Sequence, residues 1–134
     1  MDDYLLDSDV IIWFLRGKEE IVNLIKSLAK EKPIGCSPLS IIEIKLGMKK
    51  GEEDATNLFF DTIKVWAVDK EIANEAANYI LSYKKKGIIL DFADATIAAT
   101  CKLKNLILLT YNADHYPMQE VKKYKMPQLL RVSK

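Results

Sequence analysis

The run Leu106-Ile107-Leu108-Leu109-Thr110 restricts the fold more than any other segment of the chain. Its apolar residues are consecutive, so both faces of an extended strand would be apolar. That is the pattern expected of a central parallel strand, covered on both sides. Such a strand needs helices above and below it, and the preceding chain supplies them. Tyr4-Leu5-Leu6-Asp7 reads as a short buried strand ending on an acid. A helix through Val10–Leu15 follows, capped by Ser8 or Asp9 and stopped at Gly17. A second helix places Ile21, Leu24, Ile25 and Leu28 on one face. Pro33-Ile34-Gly35-Cys36 predicts a second strand, and Ser37-Pro38 opens a helix running from about Leu39 to Lys50, ended by Gly51.

Asp54 to Phe60 reads as helical and leads into Thr62–Val68, whose β-branched residues predict a strand. Asp69 caps a long helix with Ile72, Ala76, Tyr79, Ile80 and Tyr83 on one face, ending at Gly87. A further helix spans about Asp91 to Lys104 and feeds the apolar run. Asn112-Ala113-Asp114-His115 is turn-forming, and Leu129-Leu130-Arg131-Val132 predicts a closing strand. Strands alternating with helices imply an α/β fold, a three-layer α/β/α sandwich with a mostly parallel central sheet. No repeat, low-complexity tract or linker interrupts the 134 residues, which suit one domain over 1–134.

A hydrophobic content of 49% with 29% charged residues belongs to a folded globular chain, not a disordered one. The net charge of +1 advertises no global field for nucleic acid. Lysines gather locally at Lys49-Lys50, Lys84-Lys85-Lys86 and Lys122-Lys123, most simply as solvated faces. Cys36 and Cys101 lie far apart among apolar or small neighbours, as buried free thiols suited to a reducing cytoplasm. No apolar run approaches the ~20 residues of a membrane span. The opening Met1-Asp2-Asp3-Tyr4 argues against a signal peptide.

The acids are less evenly spread in role. Asp94 shares a helical stripe with Ile97, Ala98 and Cys101, so it points inward, where a carboxylate is costly unless something positive meets it. Asp91 fits the N-cap of the same helix. Ligands of an open parallel sheet bind beyond the carboxyl ends of its strands. Asp7, Asn112 and Asp114 fall there, and Asp94 begins the helix leading into the last of those strands. Glu43 shares its face with Leu39, Leu46 and Gly47 and is expected to point inward, against the plain alternative of a surface glutamate. Asp9 also has a plain capping role. Thr110 and Ser8 can hydrogen-bond metal-bound water or act as local caps. Phe92, Tyr111 and Tyr116 flank the acids, where they can stack on bases or pack, and His115 is most simply structural. Carboxylates crowded in one mouth repel unless a cation balances them. An oxygen-only ligand set favours Mg²⁺ or Mn²⁺ over zinc, and metal-assisted phosphodiester hydrolysis is the chemistry it suits.

Four segments taken in order resemble the signatures of PIN domains: Leu5-Leu6-Asp7-Ser8-Asp9-Val10-Ile11, Ser40-Ile41-Ile42-Glu43-Ile44, Asp94-Ala95-Thr96-Ile97-Ala98-Ala99-Thr100 and Leu109-Thr110-Tyr111-Asn112. More narrowly, the chain is similar to VapC-type toxins of prokaryotic toxin–antitoxin pairs. The resemblance implies a Mg²⁺- or Mn²⁺-dependent endoribonuclease in which Asp7, Glu43, Asp94 and Asn112 occupy the catalytic positions and Asp7, Glu43 and Asp94 the metal positions. Asn112 departs from the fully acidic motif, leaving Asp114 or Asp91 to supply the charge. Asp9 departs too, since that position is commonly Asn. The same resemblance implies an RNA substrate, a small VapB-like antitoxin partner, a homodimer and no membrane. Two alternatives stand beside it. Asp7-Ser8-Asp9 after a strand looks like the nucleophile motif of haloacid-dehalogenase-type phosphatases, and Asn112 is compatible with a non-catalytic PIN-like module that binds RNA or protein.

Overall fold

The computed structural model describes residues 3–129. Its elements are β1 (Asp3–Leu6), α1 (Ser8–Leu15), α2 (Glu19–Ala29), β2 (Ile34–Cys36), α3 (Pro38–Leu46), α4 (Glu53–Thr62), β3 (Lys64–Val65), α5 (Lys70–Lys85), α6 (Phe92–Lys104) and β4 (Leu106–Leu109). A short 3-10 turn, Ala113–His115, follows. The strands form one four-stranded sheet in the order β3-β2-β1-β4, with every pairing parallel. Beside it, Lys123 bridges Leu108 in parallel.

The three layers follow from side-chain alternation along the strands. Leu5, Leu106 and Leu108 face one way, into a core with Ile72, Ala76 and Tyr79 of α5 and Ala95, Ala98 and Ala99 of α6. Tyr4, Leu6 and Leu109 face the other way, against Val10 and Ile11 of α1, Ile21 and Ile25 of α2, Ile44 of α3 and Phe59 and Phe60 of α4. Each cluster removes apolar area from water at roughly 25 cal/mol per Å², which makes the two faces the main source of stability. Cys36 and Cys101 are free and buried, and burial pushes both thiols up to about 12, leaving them unreactive.

The structure corrects several expectations. Helix α1 is capped by Asp7 itself, whose extended backbone lets its carboxylate accept from Ser8 N–H, not by Ser8 or Asp9. Helix α3 stops at Leu46, where the Gly47 N–H turns back to carbonyls of the last turn, well short of Lys50. The strand expected over Thr62–Val68 shrinks to Lys64–Val65, because α4 runs on through Thr62. The apolar run forms β4 as anticipated, but at the edge of the four-stranded order and not in its middle; its outer side is met by the Lys123 bridge. Leu129 lies outside any strand, and 130–132 of the expected closing strand lie outside the described residues. The other helices fall close to their expected bounds.

Candidate active site

The mouth of the sheet is built where β1 and β4 end side by side. Leu6 pairs with Leu109, so the residues that follow, Asp7 and Thr110, leave the sheet together. The Asp7 N–H donates to the Leu109 carbonyl at 2.9 Å, which pins the start of α1 to the end of β4. Asp7 is 6% exposed, and both of its carboxylate oxygens accept hydrogen bonds. Its Oδ1 accepts from Ser8 N–H at 2.8 Å, and its Oδ2 accepts from Thr110 Oγ1 at 2.8 Å and from Tyr116 Oη at 3.0 Å.

Tyr116 carries the network across to α6. Its hydroxyl also lies 3.2 Å from Asp94 Oδ1, so one phenol oxygen touches the carboxylates of residues far apart in sequence. Asp94 sits in the first turn of α6, which Asp91 caps through the Ala93 N–H. Its second oxygen lies 3.2 Å from His115 Nδ1. Burial, followed by the neighbouring Asp7 charge, raises the Asp94 carboxyl above its ordinary value, and His115 works against that rise. Asp9 is raised to about 6, again by burial first and Asp7 second, although it accepts from Tyr111 N–H and Val10 N–H. The mouth therefore holds more negative charge than its own donors balance.

Glu43 departs from its expected orientation. The inward face of α3 is Ser40 and Ile44, whereas Glu43 and Leu46 face outward, Leu46 at 83% exposure. Glu43 nevertheless joins the site from outside: Ser8 Oγ lies 2.9 Å from Glu43 Oε1 and 2.9 Å from Ser40 Oγ. Since Ser8 has one hydroxyl proton, the chain runs Ser40 to Ser8 to Glu43, each hydroxyl donating onward. Glu43 lines a groove of about 460 Å³ between α1, α3 and α4, with Ile12, Arg16 and Met48. Asp94 lines a different hollow of about 230 Å³, together with Asp91, Asp114 and His115. Asp7, Asp94 and Glu43 are thus linked through Tyr116 and Ser8 without closing on one point. Among the described residues no three His, Cys, Asp or Glu side chains are grouped tightly enough to hold an ion.

The other candidates sort by role. Thr110 is buried and bonded to Asp7, and exposed Asn112 supports it through its backbone N–H at 2.9 Å. Asp9 ties α1 to the loop after β4. Phe92 stands 74% exposed beside the hollow, free to stack. Tyr111 instead donates its hydroxyl to the Pro127 carbonyl. Tyr116 is the residue whose role the sequence concealed. It is 1% exposed, and nothing in its spacing distinguishes a core aromatic from one that carries a hydroxyl into a site. Ser40 opens one of the four family-like segments, but its hydroxyl contact with Ser8 could not be read from the sequence.

Comparison with known proteins settles the family. The profile described as PIN domain matches residues 4–122. The chain belongs to the PIN domain family. This PIN domain is 31% identical over 116 residues to Ribonuclease VapC10 of Mycobacterium tuberculosis, covering 87% of each chain. It is 26% identical over 113 residues to Ribonuclease VapC1 of Methanocaldococcus jannaschii, covering 84% of this chain and 77% of that one. A DNA-bound VapBC structure from Salmonella typhimurium superposes with a TM-score of 0.81 at 18% identity, over 92% of this chain and 98% of that chain. A toxin–antitoxin complex from Klebsiella pneumoniae gives 0.71 at 26% identity, over 88% and 94%. These matches leave the phosphatase alternative without support. Among the described residues, no helix is long and apolar enough to cross a membrane.

Proposed function

We propose that this PIN domain is a VapC-type endoribonuclease, the toxin of a toxin–antitoxin pair, which hydrolyses RNA phosphodiester bonds with a divalent cation. The observation that carries the reading is the meeting of Asp7 and Asp94 on the Tyr116 hydroxyl at the C-terminal end of the parallel strands, where ligands of such sheets bind. The donor set fits Mg²⁺ or Mn²⁺. It is all oxygen, it leaves negative charge in excess, and Mg²⁺ typically takes one or two carboxylates while keeping several waters. Asp7 and Asp94 would hold the ion, with Glu43 reaching it through solvent. When bound, such an ion lowers the pKa of a water and offsets charge on the scissile phosphate.

The chain's own groups divide the remaining work. Glu43, which accepts from Ser8 in the Ser40–Ser8 donor chain, would take the proton from water, and that hydrogen bond supports the role by holding its carboxylate. Asn112, exposed at the rim, offers an amide to substrate oxygens. Phe92 offers a face for an unpaired base. The relatives named as ribonucleases and the solved VapBC complexes support both the substrate class and a VapB-like partner. On α3, Ile42 at 55% and Leu46 at 83% exposure, one helical turn apart, offer an apolar surface that such a partner would cover.

The test is cleavage of varied RNAs with Mg²⁺, with EDTA, and by Asp94→Asn. Cleavage should require the cation, and Asp94→Asn should lose it while remaining folded. Cleavage that persists in EDTA refutes the metal mechanism, and a wild type that binds RNA without cutting it reduces the domain to a binding module.

A further inference from the structure

We infer that Tyr116 is a positioning residue of the cation site, fixing which oxygen of Asp7 is presented to the ion and how far Asp94 stands from it. The inference rests on the reading of Asp7 and Asp94 as ligands. A carboxylate oxygen accepts about two hydrogen bonds. Asp7 Oδ2 already accepts two, from Thr110 and Tyr116, so it is saturated. Oδ1 accepts only Ser8 N–H and keeps one site open. Asp7 therefore offers a single ligand atom, Oδ1. Asp94 is held by the same phenol at Oδ1 and by His115 at Oδ2, so neither its rotation nor its distance from Asp7 is left to chance.

Tyr116 is rigid enough for that task. Its ring lies in the core formed by α5, α6 and β4 at 1% exposure, and its N–H closes the 3-10 turn onto the Ala113 carbonyl at 3.0 Å. The hydroxyl has one proton for two carboxylates; it goes to Asp7 Oδ2 at 3.0 Å, and Asp94 Oδ1, at 3.2 Å from the same oxygen, is the one left short of a donor in the absence of a cation. A cation between Asp7 and Asp94 removes that shortage without displacing the phenol, because each acid retains an open lone pair. Outer donors of this sort typically alter metal affinity by 10- to 100-fold when removed.

The experiment measures Mn²⁺ binding to the full chain by electron paramagnetic resonance, without RNA, for wild type and Tyr116→Phe, with far-UV circular dichroism as the control for folding. The expected result is a folded variant whose Mn²⁺ affinity falls at least about tenfold, with kcat reduced more than KM in RNA cleavage. A crystal soaked in Mn²⁺ should show Asp7 bound through Oδ1 alone. Affinity that is unchanged or tighter in folded Tyr116→Phe overturns the inference, as does Oδ2 in the coordination sphere. Should Tyr116→Phe fail to fold, Thr110→Val removes the other donor to the same oxygen and is expected to weaken Mn²⁺ binding too; unchanged binding there overturns the proposal. A wild type that binds no Mn²⁺ defeats the underlying metal reading instead, so the two failures are distinguishable.

Discussion

Replacing Asp9 with Asn should change the sign of its effect on stability between acid and neutral pH. Asp9 lies beside Asp7 and is raised from 3.8 to about 6, chiefly by burial. Because the folded pKa exceeds the unfolded one, the native state binds more protons between pH ~4 and ~6, and stability falls as pH rises through that window. At neutral pH the carboxylate therefore costs stability. Roughly two pKa units at ~1.4 kcal/mol each give about 3 kcal/mol, and solvent screening of this half-buried group halves that to about 1.5 kcal/mol. Asn removes this cost but keeps only one acceptor oxygen. That oxygen can hold Tyr111 N–H, while Val10 N–H falls back on the Asp7 carbonyl 3.1 Å away, so the lost hydrogen bond costs only about 0.5 kcal/mol. Asp9→Asn should stabilise the cation-free protein by about 1 kcal/mol at pH 7.5, raising Tm by about 3–4 °C. Below pH ~3, where Asp9 is neutral in both states, it should destabilise by about 0.5 kcal/mol. Urea melts in EDTA at the two pH values measure both quantities. An Asn variant less stable than wild type at pH 7.5, or equally shifted at both pH values, refutes the electrostatic reasoning.

Gly35 sits at the closest approach of β2 to its neighbour. A Cβ there would stand 2.4 Å from the Lys64 carbonyl oxygen and 2.6 Å from Trp66 Nε1. Since the first contact is backbone, Gly35→Ala should loosen β3 and cost about 2–3 kcal/mol in urea melts; a neutral result would show that the edge strand moves freely. Phe92→Ala should leave the melting temperature within error, since the ring is 74% exposed. In an Asp94→Asn background it should weaken single-stranded RNA binding roughly 5- to 100-fold if the ring stacks on a base. An unchanged Kd by fluorescence anisotropy would assign Phe92 to some other surface role.

The sequence by itself determined the layers. The consecutive apolar residues of Leu106–Leu109 required cover on both faces, and the helical periodicities of Ile21-Ile25-Leu28 and Ile72-Ala76-Tyr79 supplied it. Ends of elements were less legible, because the stop of α3 at Gly47 and the brevity of β3 depend on what neighbouring segments pack against. For the site, strand-end placement brought Asp7, Thr110 and Asp94 to one region, since local pattern is enough to say where a strand stops. Only the tertiary structure could say which atoms touch. Residues 7 and 116 meet across 109 positions of chain, and no local rule relates them. Whether Tyr116 was a stacking ring, a core ring or a donor to two acids depended on where its hydroxyl ended, just as the outward turn of Glu43 depended on Ser40 and Ile44 taking the buried face of α3. Periodicity reports which side of an element is apolar, whereas a hydrogen bond is decided by distances that only the folded chain possesses.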